Sequence, residues 1–97
     1  MKYHFHPEAE AEFNEAVDYY DGTQEDLGLE FAEEVYTTIE NICQFPLAWT
    51  PFSQNTRRCL LKRFPYGEVY QSRGNEIIIM AVMQLNRKPD YWHKRKA

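Results

Sequence analysis

Apolar positions recur along this chain at two periods, and the change from one to the other divides it. Lys2 to His6 alternates polar and apolar, with Tyr3 and Phe5 on one face and His4 and His6 on the other, which predicts a short strand. Pro7 suits the first turn of a helix. Ala9, Phe13, Ala16, Val17 and Tyr20 then follow at helical spacing, with Glu8, Glu12, Glu15, Asp18 and Asp21 on the other faces. Asp21-Gly22 predicts the end of that helix. Thr23 with Asp26 three residues on resembles a capping box opening a second helix. Its stripe is Leu27, Phe31, Val35, Ile39 and Ile42, flanked by Ala32 and Tyr36, and it ends near Gln44-Phe45-Pro46. The gap between the two is short, so they are expected to pair as an antiparallel helical hairpin.

Pro46 to Asn55, with Trp49, Pro51 and Phe52, is expected to be a loop whose aromatics tuck against the domain. Beyond it the helical period is lost. Thr56 to Phe64 predicts a basic strand centred on Cys59, Leu60 and Leu61, and Phe64-Pro65-Tyr66-Gly67 predicts a turn. Glu68 to Arg73 predicts the next strand, and Gly74-Asn75 a two-residue hairpin turn. Glu76 to Gln84 is almost wholly apolar, as befits a central strand covered on both faces. A short tail helix is expected to start at Pro89 and to end on His93-Lys94-Arg95-Lys96, whose charge suits a helix C-terminus. The expected fold is α+β: an N-terminal strand and an antiparallel two-helix hairpin packed on a three- to four-stranded antiparallel sheet, closed by a short basic C-terminal helix. Residues 1–97 are expected to form one domain.

Composition narrows the function. No run approaches the ~20 apolar residues of a membrane helix, and the N-terminus carries no apolar signal segment, so a cytosolic protein without membrane contact is expected. Cys43 and Cys59 are far apart and in no metal-ligand spacing, which predicts thiols in a reducing compartment. His4 and His6 lack further ligands nearby, so neither a metal nor any other cofactor is expected. The net charge of −4 hides an asymmetry. Met1 to Gln44 hold one Lys and twelve Asp/Glu, a net of −11, whereas Phe45 to Ala97 hold ten Lys/Arg and three Asp/Glu, a net of +7. The acidic half reads as the solvated faces of the helices. The basic half could steer a polyanion or an acidic peptide.

Three motifs bear on function. The first is His6-Pro7-Glu8-Ala9-Glu10 leading to Ala16, Tyr19-Tyr20, Leu27-Gly28 and Phe31. The second is Lys62-Arg63-Phe64-Pro65-Tyr66 with Tyr70 four residues on, and the third is Arg87-Lys88-Pro89-Asp90-Tyr91-Trp92. In this order and at these separations they resemble the RelE/ParE superfamily of toxins from type II toxin–antitoxin modules, also described as plasmid stabilisation proteins. The long helical hairpin and the Arg-x-Pro-x-x-Trp ending are closer to the ParE side. The resemblance implies a small growth-inhibiting toxin held inactive by a cognate antitoxin. ParE-like members poison DNA gyrase, and RelE-like members cleave messenger RNA on the ribosome. A degenerate member that binds its antitoxin without toxicity is a third possibility.

If the chain is an enzyme, the resemblance makes it a metal-independent endoribonuclease. Attack of a ribose 2′-hydroxyl on its phosphate needs a general base, a general acid and cations. Arg87, Arg58 and Lys62 are the candidate cations and Tyr91 the candidate proton-transfer group, with His93 as a substitute. Arg57, Arg63, Tyr66, Trp92 and Lys94 are candidate binding residues. Strand alternation places Arg58 and Lys62 on one face and Arg57 and Arg63 on the other. Many superfamily members carry a His after the final strand where this chain has Gln84, which cannot act as a general base. Phe64, Pro65 and Tyr66 also serve a turn and a core corner, Trp92 pins the tail to the sheet, and Arg87 is equally placed to pair with a helical carboxylate. The hairpin seam and a free sheet edge offer an antitoxin two docking sites, and a basic sheet face suits an acidic tail.

Overall fold

A computed structural model describes residues 1–88 and 90–96. The elements are β1 (Lys2–Phe5), α1 (Pro7–Thr23), α2 (Leu27–Gln44), β2 (Thr50–Ser53), β3 (Thr56–Leu60), β4 (Tyr66–Arg73) and β5 (Glu76–Gln84). All five strands join one sheet in the order β1-β5-β4-β3-β2. β2-β3, β3-β4 and β4-β5 pair antiparallel, while β1 lies parallel to β5. The fold is α+β as expected, and the predicted three-strand meander is β3-β4-β5.

The sheet is larger than the three to four antiparallel strands expected. The helical hairpin carries the chain from β1 to β2 at the opposite edge of the sheet, and such a crossover permits parallel pairing of β1 with β5. The additional strand, β2, lies inside the predicted loop. Pro51 occupies it without disrupting the sheet because β2 is an edge strand. β3 stops at Leu60, short of the expected Phe64. The tail also departs from expectation: Asp90 to Lys94 form turns, not a helix, and Pro89 lies outside the described residues.

Each helix is begun and ended by local chemistry. Pro7 opens α1, and the His6 ring Nδ1 accepts a hydrogen bond from the Glu8 amide at 3.1 Å. Glu8 and Glu10 face the positive end of the helix dipole. The expected Thr23–Asp26 capping box does not form. Thr23 ends α1 and its hydroxyl donates to the Tyr19 carbonyl. Asp26, at φ 64°, takes the N-cap position of α2 without a side-chain hydrogen bond. The first turn of α2 is instead met by Asp21 of α1, whose Oδ1 accepts from the Gly28 amide at 2.9 Å. A Cβ at position 28 would stand 2.3 Å from that oxygen and 2.6 Å from the Val17 carbonyl, so glycine is what lets the helices meet.

The helices cover one face of the sheet. Ala9, Phe13 and Ala16 of α1 and Phe31, Val35, Ile39 and Ile42 of α2 pack with Cys59, Tyr70, Ile77, Ile79 and Val82. Phe31 is fully buried, its ring centroid 5.1 Å from Phe64, 5.0 Å from Tyr66 and 5.3 Å from Tyr20. Phe64 and Tyr66 therefore build the core corner that the sequence suggested. The opposite face holds Val69, Ile78, Met80, Ala81 and Met83, with Trp92 and Phe52 laid over it. Trp92, 3% exposed, does pin the tail to the sheet.

Candidate functional site

β1 pairs with β5 only as far as Phe5 opposite Ile79, because Pro7 then turns the chain into α1. From Met80 onward that edge of β5 has no strand beside it among the described residues. Between Val69 and Tyr70 of β4 the register with β5 also shifts, leaving Met80 as an inserted residue. Side chains meet the backbone groups exposed there. Glu12 of α1 accepts from the Val82 amide at 3.0 Å, and Arg95 donates to the Met80 carbonyl at 3.0 Å. Arg95 also grips Glu12 with both terminal nitrogens, at 2.8 and 3.0 Å. The Tyr91 hydroxyl donates to Glu12 at 2.5 Å. Arg87 completes the cluster, 3.6 Å from Glu12 with its guanidinium 3.8 Å above the Tyr91 ring.

Beside this cluster lies a groove of about 370 Å³, lined by Glu12, Glu15, Ala16, Tyr19, Tyr66, Val82, Gln84 and Arg87. Burial raises the pKa of Tyr91 well above the usual tyrosine value, and the hydrogen bond and charge of Glu12 raise it further. Burial also raises Tyr66, with Tyr20 adding to the effect. Burial alone would lower Arg95, but its hydrogen bond to Glu12 and that group's charge hold it above the ordinary value. At neutral pH Tyr91 is thus a neutral phenol and Arg95 a fixed cation.

The candidate residues divide among several places. Arg87 and Tyr66 line the groove, with Tyr91 beside it. Arg58 and Trp92 lie on the far face of the sheet, where the Arg58 guanidinium sits 4.3 Å over the Phe52 ring. Arg57, on the helix-covered side, donates to the Trp49 carbonyl at 2.7 Å. Lys62 and Arg63 follow the end of β3, both with backbone amides bonded to Glu34 of α2. The Arg63 side chain pairs with Glu30 at 2.7 Å and so braces the loop to α2. Lys94 is exposed on the C-terminal segment. Neither Arg58 nor Lys62 lines the groove with Arg87.

Glu12 belongs to the structure and not to the solvated face assigned to it. The helix period carried only part of that signal: position 12 borders the buried stripe of Ala9, Phe13 and Ala16 without lying inside it. The expected pairing of Arg87 with a helical carboxylate is found, and Glu12 is that carboxylate. Among the described residues no group of three His, Cys, Asp or Glu side chains could hold a metal, and no helix is long and apolar enough to cross a membrane.

Comparison with known proteins identifies the family. A solved structure described as the chromosomal ParDE TA system from P. aeruginosa superposes with a TM-score of 0.77 at 18% identity, covering 89% of this chain and 97% of that one. No curated protein matches. The family of the ParE toxin of the type II toxin–antitoxin system, parDE, matches residues 3–89. A match over nearly the whole chain, on a sheet and helical hairpin of the same fold, makes this protein a member of the ParE toxin family of type II toxin–antitoxin systems.

Proposed function

We propose that this toxin arrests growth by binding a macromolecular target, DNA gyrase, and not by cleaving RNA. It acts in the cytoplasm as one domain and is neutralised by a cognate antitoxin. The observation that carries this reading is the charge and occupancy of the groove. A scissile phosphate placed there would meet two carboxylates, Glu12 and Glu15, and one arginine, Arg87. Arg87 is already shared with Glu12, and the Tyr91 proton is held on the same carboxylate. Gln84 stands where a base would be useful, and the His93 ring stacks on Trp92 at the other face of the sheet. Such a surface suits protein recognition through Tyr19, Tyr66, Gln84 and Arg87 better than catalysis on a polyanion.

The test is pulse labelling of DNA and protein synthesis within minutes of induction in bacteria lacking the antitoxin. DNA synthesis failing first, with filamentation, supports gyrase poisoning. Protein synthesis stopping first points to ribosome-dependent cleavage and overturns the reading. The Arg87→Ala variant is expected to lose toxicity while keeping its fold, because its half-exposed ion pair contributes no more than about 1 kcal/mol. A folded variant with full toxicity would remove Arg87 from the site.

A further inference from the structure

The face of the sheet opposite the helices carries a second arrangement that the groove does not use. Phe52, Trp92 and His93 form a ladder of rings: Phe52 and Trp92 lie 5.9 Å apart at 26°, and Trp92 and His93 lie 4.5 Å apart at 11°. Trp92 is buried, whereas His93 is exposed and ends the ladder. One cation sits on it, and others line a groove elsewhere on the sheet. Arg58 lies over Phe52 with its aliphatic stem against Gly67, where a Cβ would stand 3.1 Å from Arg58 Cδ. Arg58 is opposite Val69 in the ladder, and Arg73 is four residues further along the same face of β4, roughly 13 Å away. Arg73 and Lys96 line a polar groove of about 510 Å³ with Asn55, Gln71 and Ser72. The acidic half of the chain forms the helices, on the opposite side of the sheet, and Glu76 is the carboxylate directly across from Arg73 on the far face.

From this geometry we infer that the far face of the sheet binds single-stranded nucleic acid, with phosphates at Arg58, Arg73 and Lys96 and a base stacked on His93. Cations tracking a backbone beside an exposed ring are the elements of a sequence-tolerant single-strand platform. An acidic peptide would use the same cations but has no use for the ring ladder. The inference is independent of gyrase as the target. Its test is made on the purified toxin, so failure here leaves the growth-arrest reading standing, and the reverse also holds.

The probe is a fluorescein-labelled oligothymidylate of about 12 nucleotides, and the readout is anisotropy across a salt series from about 50 to 200 mM. Affinity is expected to fall as salt rises. Arg73→Ala and Lys96→Ala are each expected to weaken binding and to reduce the salt slope by about 0.7. His93→Ala is expected to weaken it about fivefold or more. Lys62→Ala removes the same charge on the helix side and is expected to change nothing. Absence of binding at low salt would overturn the proposal. So would equal losses in Lys62→Ala and Arg73→Ala, or a polyglutamate peptide that binds more tightly than the oligonucleotide.

Discussion

Glu12 and Arg95 are separated by 83 positions and hold one another by two hydrogen bonds, of 2.8 and 3.0 Å, with side chains only 12% and 10% exposed. The pair ties the first helix to the last residues of the chain. It also finishes the sheet, because the same two side chains take the Val82 amide and the Met80 carbonyl where β1 has run out. The backbone polarity of a strand edge is thus met by an ion pair, and the geometry of the neighbouring groove depends on it.

Breaking that pair should cost more than a surface salt bridge. Glu12→Gln leaves a nearly buried guanidinium with only the exposed Glu8 carboxylate, 3.9 Å away, as counter-charge, and the expected loss is about 3 kcal/mol in urea unfolding. Arg95→Met leaves the Glu12 carboxylate with the Tyr91 hydroxyl and the Val82 amide, so its loss should be smaller. The double variant should be destabilised by less than the sum, with a coupling energy of about 1 to 3 kcal/mol. Strict additivity would mean that the pair does not act as a unit.

Glu68 presents the opposite case. It lies on β4 between Cys59 and Val82 of the adjacent strands, fully buried, and neither carboxylate oxygen has a hydrogen-bond partner among the described residues. Burial holds its pKa well above 4.5 in the folded state. The unfolded chain therefore releases this proton at a lower pH than the folded one. Between those two pKa values the folded state binds more protons, so the Glu68 contribution to stability falls as pH rises. The slope approaches about 1.4 kcal/mol per pH unit. Unfolding of the wild type and of Glu68→Gln across pH 4 to 8 gives the difference directly, with the other carboxylates cancelling. The variant should gain relative stability with each unit of pH, and a flat difference would mean that Glu68 is ionised in the fold.

How far the sequence reached can be argued from particular residues. The two helices and the β3-β4-β5 meander follow from local period, so Phe31, Val35, Ile39 and Ile77 to Ile79 were readable as core. β2 was not, because Thr50–Ser53 is short, contains a proline and gains its order only from β3 alongside. The tail was misread for a related reason. The cations after Trp92 suit a helix end, but Arg95 is drawn to Glu12 and Trp92 to Phe52, and those long-range contacts decide the backbone. Arg87 and Tyr66 were readable as groove residues through the resemblance. Arg58 and Lys62 do not line the groove with Arg87, and because β3 ends at Leu60, alternation no longer governs position 62.

The hairpin joint gives a sharper test of packing. Asp21 reaches across to the Gly28 amide, and a methyl group at Gly28 would collide with both Asp21 and the Val17 carbonyl. Gly28→Ala should cost about 1 to 3 kcal/mol by overpacking, despite the better helix propensity of alanine. Asp21→Ala removes one hydrogen bond to a helix start and should cost about 1 kcal/mol. In the double variant the side-chain clash is relieved but the Val17 carbonyl remains, so part of the Gly28→Ala loss should persist. Full recovery would show that the Asp21 carboxylate is the sole obstacle.

The two thiols should separate by rate. Cys59 is 6% exposed on the helix-covered face of β3, and burial, with a smaller effect from Glu68, pushes its pKa up to about 11. Cys43, near the end of α2, is only half-buried and more modestly raised by burial. The thiolate is the reactive form, so at pH 8 only about one Cys59 in a thousand is competent even before access is considered. Alkylation followed by peptide mass spectrometry should label Cys43 first and Cys59 at least about a hundredfold more slowly. Glu68→Gln removes the smaller cause and leaves burial in place, so Cys59 should remain the slower thiol in that variant. Rapid labelling of Cys59 in the folded wild type would mean that the core beneath the helical hairpin opens far more often than its packing implies.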